Sequence, residues 1–357
     1  MIIKKVLIIG SQGYLGSFLI KFLNEKGFDC LGIDTGFFAD SLIAPVKENT
    51  IKKDARNIEA ADLRGFDVCI QLAAISNDPV GNIDEESMYA PTREYAIKIA
   101  RLCKDMDIQF IFPSSCSVYG AAHGQGPLTE EGPTNPQTGY SLNKLEIEQE
   151  LSKLSDSSFS PVALRFGTVF GMSPRIRFDL VINMLCGMSV ASSKIILNSD
   201  GEAWRPHLYI EDACEAIRCS IENASNFQGL EIFNIGRDDN NLKIIDVAKL
   251  IKTLTPESEL TFIGSEEEQK ESSLISDRKI LDGNDTRTYK VSFEKAQKEL
   301  KGYHCKWTAE EGVKKLLSDL MNLELDEKVF YSKEFYRLQQ IEHLYEQGKV
   351  DKDLNWI

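Results

Sequence analysis

The sequence is short of the features that mark several large protein classes. Its eight cysteines (30, 69, 103, 116, 186, 214, 219 and 305) form no CxxC pair and no Cys/His cluster. Neither a zinc site nor a disulfide framework is therefore expected, and a reducing compartment fits best. No run of 18 apolar residues occurs, so no membrane span is expected. The apolar opening reaches Gly10 too soon for the core of a signal peptide and reads as a first strand, so the protein is expected to be cytoplasmic. Basic charge is lacking too: 41 Lys and Arg face 55 Asp and Glu, for a formal charge of −14. That balance argues against nucleic acid or an anionic membrane as the main partner. There is no internal repeat and no low-complexity segment.

What is present suits an ordinary globular chain: 357 residues, 42% hydrophobic and 27% charged. A chain this long buries roughly 75% of the surface it exposes when unfolded, enough for one large core or two fused ones. Short β-branched runs at 6–9, 30–33, 68–72, 110–112 and 162–166 alternate with longer helical patterns. Alternation of this kind predicts an α/β fold, a doubly wound parallel sheet. After about residue 165 it loosens, and glycine, proline and arginine gather at 171–177 and 200–206, as in loops that close over a ligand. We expect a dinucleotide-binding domain over 1–165 and a smaller mixed α/β substrate-binding lobe over 166–325, with a segment near 205–240 returning to the first domain. The acidic stretch 265–271 reads as a solvated face. In the tail, 326–357, Phe335, Leu338, Ile341 and Leu344 recur every three residues before Gly348, which predicts an amphipathic helix packed on the body or on a second subunit.

Directly after the first strand, Gly10, Gly13 and Gly16 stand in a GxxGxxG spacing that opens an amphipathic helix. Glycines there let the backbone turn tightly and approach a pyrophosphate, whose charge the helix N-terminus stabilises. Gln12, Tyr14 and Leu15 belong to the same loop. Asp34 ends the next strand, where a carboxylate accepts hydrogen bonds from ribose hydroxyls and repels a 2′-phosphate. Residues 35–38 offer no arginine to hold such a phosphate, so NAD is favoured over NADP. Asp54, with Ala55 beside it, could reach the adenine amino group.

Tyr140 and Lys144 are four residues apart and so share one helical face. A nearby ammonium favours the phenolate, which lets Tyr140 act as general acid and base far below the usual tyrosine pKa of about 10. The strand near 108–112 runs into Pro113, Ser114, Ser115 and Cys116. A hydroxyl at a strand's carboxyl end, Ser115 above all, could hydrogen-bond the substrate oxygen that Tyr140 deprotonates.

With these motifs goes Gln71-Leu72-Ala73-Ala74, then Leu164-Arg165, and then Trp204-Arg205-Pro206-His207 followed by Ile210-Glu211-Asp212. Together they identify a resemblance to the extended short-chain dehydrogenase/reductase family, in its NAD-dependent epimerase/dehydratase branch. The resemblance covers nearly the whole chain. It implies a Rossmann-type domain with a sugar-binding lobe, nucleotide-diphospho-sugar substrates, and cofactor contacts from Leu72, Ala73 and Ala74. It also implies that Lys144 holds the nicotinamide ribose and that Arg205 and Arg287 contact the substrate diphosphate. A homodimer is expected, with the tail as its docking surface. Thr168 and Cys116 join the substrate-facing candidates, although a buried cysteine is ordinarily an inert small hydrophobe.

Departures from the family pattern bear on the reaction. Its 4,6-dehydratases carry Thr-Asp-Glu where this chain has Ser115, Cys116 and Ser117, so the carboxylates that water elimination needs are missing. Epimerisation through a transient keto-sugar needs only Ser115, Tyr140, Lys144 and NAD. A dehydrogenase or 4-keto reductase would use the same set and is the alternative; a 3,5-epimerase, a dehydratase and a non-catalytic NAD-binding sensor rank below it. Gln71, Thr92 and Thr168 stand where the family often has His, Asn and Asn, and Ser76 stands where its sugar 4-epimerases of the galactose type have Lys. His207 could donate a proton, with packing in the lobe as its plainer role. No metal is expected.

Overall fold

The computed structural model describes residues 4–43, 49–74, 85–121, 126–262 and 287–357. Ser76 and the acidic stretch 265–271 lie outside the described residues. Strands β1 (Lys5–Ile9), β2 (Asp29–Asp34), β3 (Thr50–Lys52), β4 (Val68–Gln71), β5 (Gln109–Ser115) and β6 (Val162–Phe166) alternate with helices α1 (Tyr14–Glu25), α2 (Ala60–Leu63), α3 (Glu85–Asp105) and α4 (Gly139–Leu154). All six strands pair in parallel in the order β6, β5, β4, β1, β2, β3. The chain leaves β1 toward β2 on one side and later returns to β4 on the other. This reversal opens a crevice at the carboxyl edge beside β1, where open α/β sheets bind their ligands.

The pleat explains why these strands are apolar on both faces. Val6 and Ile8 point into one core with Leu19, Leu23, Ala213 and Ile217, while Leu7 and Ile9 point into another with Ala96, Ile99, Cys103 and Ile147. Helices thus cover the sheet on both sides. Burial of this apolar surface, worth about 25 cal/mol per Å2, is the main force holding the layers together.

Past β6 the chain enters the lobe through β7 (Thr168–Phe170), α5 (Val181–Ser192), β8 (Lys194–Leu197) and β9 (Trp204–Tyr209). It then returns: α6 (Ile210–Glu222) packs on the main sheet, and β10 (Glu231–Ile235) adds a seventh parallel strand beside β6. Strand β11 (Asn241–Lys243), α7 (Ile244–Leu254) and β12 (Glu259–Phe262) go back to the lobe, where β11, β9 and β7 form a three-stranded sheet and β12 pairs with β8. The lobe core is Phe170, Phe178, Leu185, Met188, Leu316 and Leu320, closed by Phe330, Phe335 and Tyr336 from the tail. Phe178 stands 4.8 Å from Phe330 and 5.6 Å from Phe335, ring centre to ring centre.

The tail helix spans Arg337–Glu346, and Gly348 follows with φ +63°, the left-handed conformation a helix end favours. Phe335 falls before the helix, in a short 3-10 turn, so the three-residue periodicity overshoots its start. The tail packs on its own chain, across the carboxyl edge of the main sheet. No helix among the described residues is long and apolar enough to cross a membrane.

Candidate active site

The crevice beside β1 widens into a cavity of about 1040 Å3 between sheet and lobe. Its floor begins at the glycine loop. A Cβ on Gly10 would stand 2.5 Å from the Ala73 backbone nitrogen, and one on Gly16 would stand 2.1 Å from the Gly10 carbonyl oxygen. These two glycines let β1, β4 and α1 close on one another. Gly13 differs: a Cβ there would meet only the Gly10 carbonyl oxygen, at 3.3 Å, and Gly13 lines the cavity as the residue that caps α1. The first turn of α1 carries no acidic residue, so its N–H groups and dipole face an anion without competition. An open cradle of this kind fits a dinucleotide diphosphate.

Asp34 closes β2 and lines the cavity, its carboxylate accepting the N–H groups of Gln12 and Gly36 at 2.9 Å each. Burial raises its pKa above the ordinary aspartate value, against those two hydrogen bonds. Ala55, Leu72, Ala73 and Ala74 also line the cavity, and the Gln71 amide donates to the Ala73 carbonyl at 2.9 Å, holding that turn. Three expected cofactor residues sit differently from the simplest expectation. Gln12 contributes its backbone and stays off the cavity wall. Tyr14 lines the cavity, but its hydroxyl donates to the Gly171 carbonyl at 2.8 Å and pins α1 to the lobe. Asp54 lines the cavity with its carboxylate already gripped by the Arg56 guanidinium, at 2.6 Å, which competes with any adenine amino group.

On the far wall, Thr138 caps α4 through a box with Ser141 and so fixes the first turn that carries Tyr140. Lys144, one turn on, is buried and donates to the Pro113 carbonyl at 2.7 Å. Its ammonium stands 4.5 Å from the Phe112 ring centre and 5.8 Å from that of Tyr140. Burial pushes its pKa down to about 7, partly offset by Glu148. Tyr140, Lys144 and Ser115 all line the cavity, and Ser115 Oγ accepts the Ser117 N–H at 3.1 Å while capping the short turn that follows.

A buried ion pair anchors this wall. Arg165 grips Glu148 with a closest approach of 2.7 Å and donates to the Tyr119 hydroxyl at 2.9 Å. The Ser114 hydroxyl donates to Glu148, tying the end of β5 to α4. Cys116 belongs to this buried layer. It is 1% exposed, stays off the cavity wall and donates its thiol to the Arg165 carbonyl at 3.1 Å, so it packs beneath the site and does not face a substrate. Burial raises its pKa further, away from thiolate chemistry. His207 is likewise withdrawn. It is fully buried on β9, off the cavity wall, with both ring nitrogens lacking partners, and burial drives its pKa down to about 3. A neutral ring so placed donates no proton to a substrate.

The lobe wall holds Thr168, Arg205 and Arg287. Arg205 donates to the carbonyls of Trp204 and Arg287, joining those two segments. Sequence reasoning missed three further arginines on the wall, Arg175, Arg177 and Arg337, which make the cleft rich in cations within an acidic protein. The arginine-bearing stretch 171–177 was a signal for two of them. Arg337 sits in the tail helix, and no local pattern around it points to a ligand.

Three comparisons bear on this architecture. A profile described as the NAD dependent epimerase/dehydratase family matches residues 6–236. A UDP-glucose 4-epimerase of Lactobacillus helveticus is 25% identical over 275 residues, covering 69% of this chain and 81% of that protein. The structure of TunA, described as an NAD-dependent NDP-hexosamine 5,6-dehydratase of tunicamycin biosynthesis, superposes with a TM-score of 0.75 at 19% identity, over 89% of this chain and 98% of its own. MoeE5, solved with UDP-glucuronic acid and NAD, gives 0.73 at 21% identity, over 90% and 100%.

Proposed function

The chain belongs to the NAD-dependent epimerase/dehydratase family, and on that footing we propose that it is a nucleotide-sugar epimerase working through a transient keto-sugar. NAD is the cofactor of this family, and when bound it supplies the acceptor and donor of a hydride. The residues around the cavity suit its two ends. Asp34 would take the adenosine ribose, Gly13 and the start of α1 the diphosphate, and Lys144 the nicotinamide ribose.

Tyr140 takes the proton of the sugar hydroxyl and later returns it, aided by the Lys144 ammonium, which favours the phenolate. The Ser115 hydroxyl steadies the same oxygen. Arg205 and Arg287 suit the diphosphate of a nucleotide sugar, since a guanidinium matches the geometry of phosphate oxygens. The observation that carries the choice of epimerase is the wall at 115–117. It offers hydroxyls and a withdrawn thiol, where elimination of water would need a carboxylic acid and a carboxylate.

The test is incubation of the purified protein with UDP-, GDP-, CDP- and dTDP-sugars without added nicotinamide cofactor. Interconversion of an epimeric pair with no net change in cofactor redox state is expected. Stoichiometric consumption of added NAD or NADH without interconversion would move the protein to the dehydrogenases and reductases.

A further inference from the structure

We propose that residues 335–357 form a clasp for the cofactor, in which Arg337 together with Arg175 binds its diphosphate and residues 352–354 close over its adenosine end. The inference rests on the cofactor placement proposed above and extends it to a part of the chain that no dinucleotide motif contains.

Asp34 and Lys144 mark the two ribose ends, so the diphosphate of a ligand spanning them lies between. Arg337 is placed there. It donates to the Ala74 carbonyl, its guanidinium stands 5.5 Å from the Phe38 ring centre, and its charge acts on both Asp34 and Lys144, lowering the proton affinity of each. Arg175 stands 4.1 Å from the centre of the same ring and is 1% exposed. It donates to the carbonyls of Ile176 at 3.4 Å and Glu334 at 3.3 Å, has no carboxylate partner among the described residues, and leaves its Nε without an acceptor. Burial pushes Arg175 down to about 9 and Arg337 down to about 10. Arg175, Arg177 and Arg337 share this part of the cavity with two carboxylates, Asp179, which pairs with Arg177 at 2.8 Å, and Asp34; three guanidiniums against two carboxylates leave a positive charge that a diphosphate balances.

The end of the chain is tied across the loops that would read adenosine. The Trp356 indole N–H donates to the Thr35 carbonyl at 2.7 Å, its ring lies 5.6 Å from that of Phe37, and the Lys52 ammonium stands 4.0 Å from its centre. Arg56 donates to the carbonyls of Asp353 at 2.6 Å and Leu354 at 3.0 Å, and the Gln340 amide donates to that of Phe37 at 3.1 Å. Lys352, Asp353 and Leu354 line the cavity beside Asp54 and Ala55. Cofactor release then requires the tail to lift. A slow release suits a reaction in which the hydride returns to the sugar it left.

The test pairs two fragments with four variants. By calorimetry, Arg337→Met is expected to weaken ADP-ribose at least about tenfold, the scale of one charge-assisted hydrogen bond, and to leave adenosine unaffected. Arg337→Lys should recover part of that loss. A variant ending at Gln347, and Trp356→Ala in the full chain, are expected to release bound NAD at least about tenfold faster on dilution, with unchanged melting temperature for Trp356→Ala. Equal weakening of ADP-ribose and adenosine by Arg337→Met, or unaltered NAD release in both tail variants, overturns the clasp. Absence of sugar interconversion with these binding results intact overturns only the proposed reaction.

Discussion

The two walls of the cleft are built in different ways. The sheet wall is assembled from contiguous pieces: a glycine loop between β1 and α1, one carboxylate at the end of β2, and Tyr140 and Lys144 one turn apart on α4. The opposite wall gathers Arg175, Arg177, Arg205, Arg287 and Arg337 from segments spread along more than 160 residues of the chain. A wall made of local motifs keeps its chemistry wherever strand and helix pack. A wall made of scattered side chains exists only when lobe and tail have folded around it. Positioning of reacting groups is local here, whereas closure and charge compensation are collective.

The largest effect should come from the local wall. Tyr140→Phe removes the hydroxyl that exchanges the proton and is expected to lower kcat by roughly 10^2 to 10^4, with nucleotide-sugar affinity little changed, as steady-state kinetics and calorimetry would register. Next comes the buried pair beneath that wall. Glu148→Ala strands the Arg165 guanidinium in the interior and should cost about 3–5 kcal/mol in chemical denaturation. If the loss proves no larger than that of a surface pair, the wall is not anchored as described.

A smaller effect is expected at the end of β2. Asp34→Asn weakens ribose recognition and removes the charge that repels a 2′-phosphate. It should narrow the preference for NAD over NADP by roughly ten- to a hundredfold, the scale of one hydrogen bond to a charged group. Affinity titrations with both dinucleotides would show it.

The smallest expected effect couples the two walls. In the cofactor-free protein Lys144 should titrate near pH 7, charged below and neutral above, as NMR of ε-13C-labelled lysine would show. Arg337→Met removes a like charge and should raise that pKa. Glu148→Gln removes an opposite charge and should lower it. Independence of Lys144 from Arg337 would separate the walls electrostatically.

Legibility in the sequence follows the same division. The strands β1, β2, β4 and β6 were read nearly to the residue, because strands buried on both faces write themselves as unbroken apolar runs. Strand β5 was read only at its centre, since Pro113, Ser114 and Ser115 look like loop residues until β6 is seen beside them. At Cys116 the sequence left two readings, a substrate-facing thiol and a packed one, and the thiol turns to the Arg165 carbonyl. At the tail, periodicity announced a helix without its destination.

By itself the sequence determined the parallel α/β order, the glycine loop, the carboxylate after β2 and the Tyr140–Lys144 pairing. Each rests on spacings of a few residues that a single strand, turn or helix converts directly into geometry. Only the tertiary structure decided that His207 and Cys116 are withdrawn, that Tyr14 pins the lobe, and that Arg175 and Arg337 both stand against the Phe38 ring. Those placements come from packing between segments distant in the chain, and side-chain burial and charge environment exist only once those segments have met.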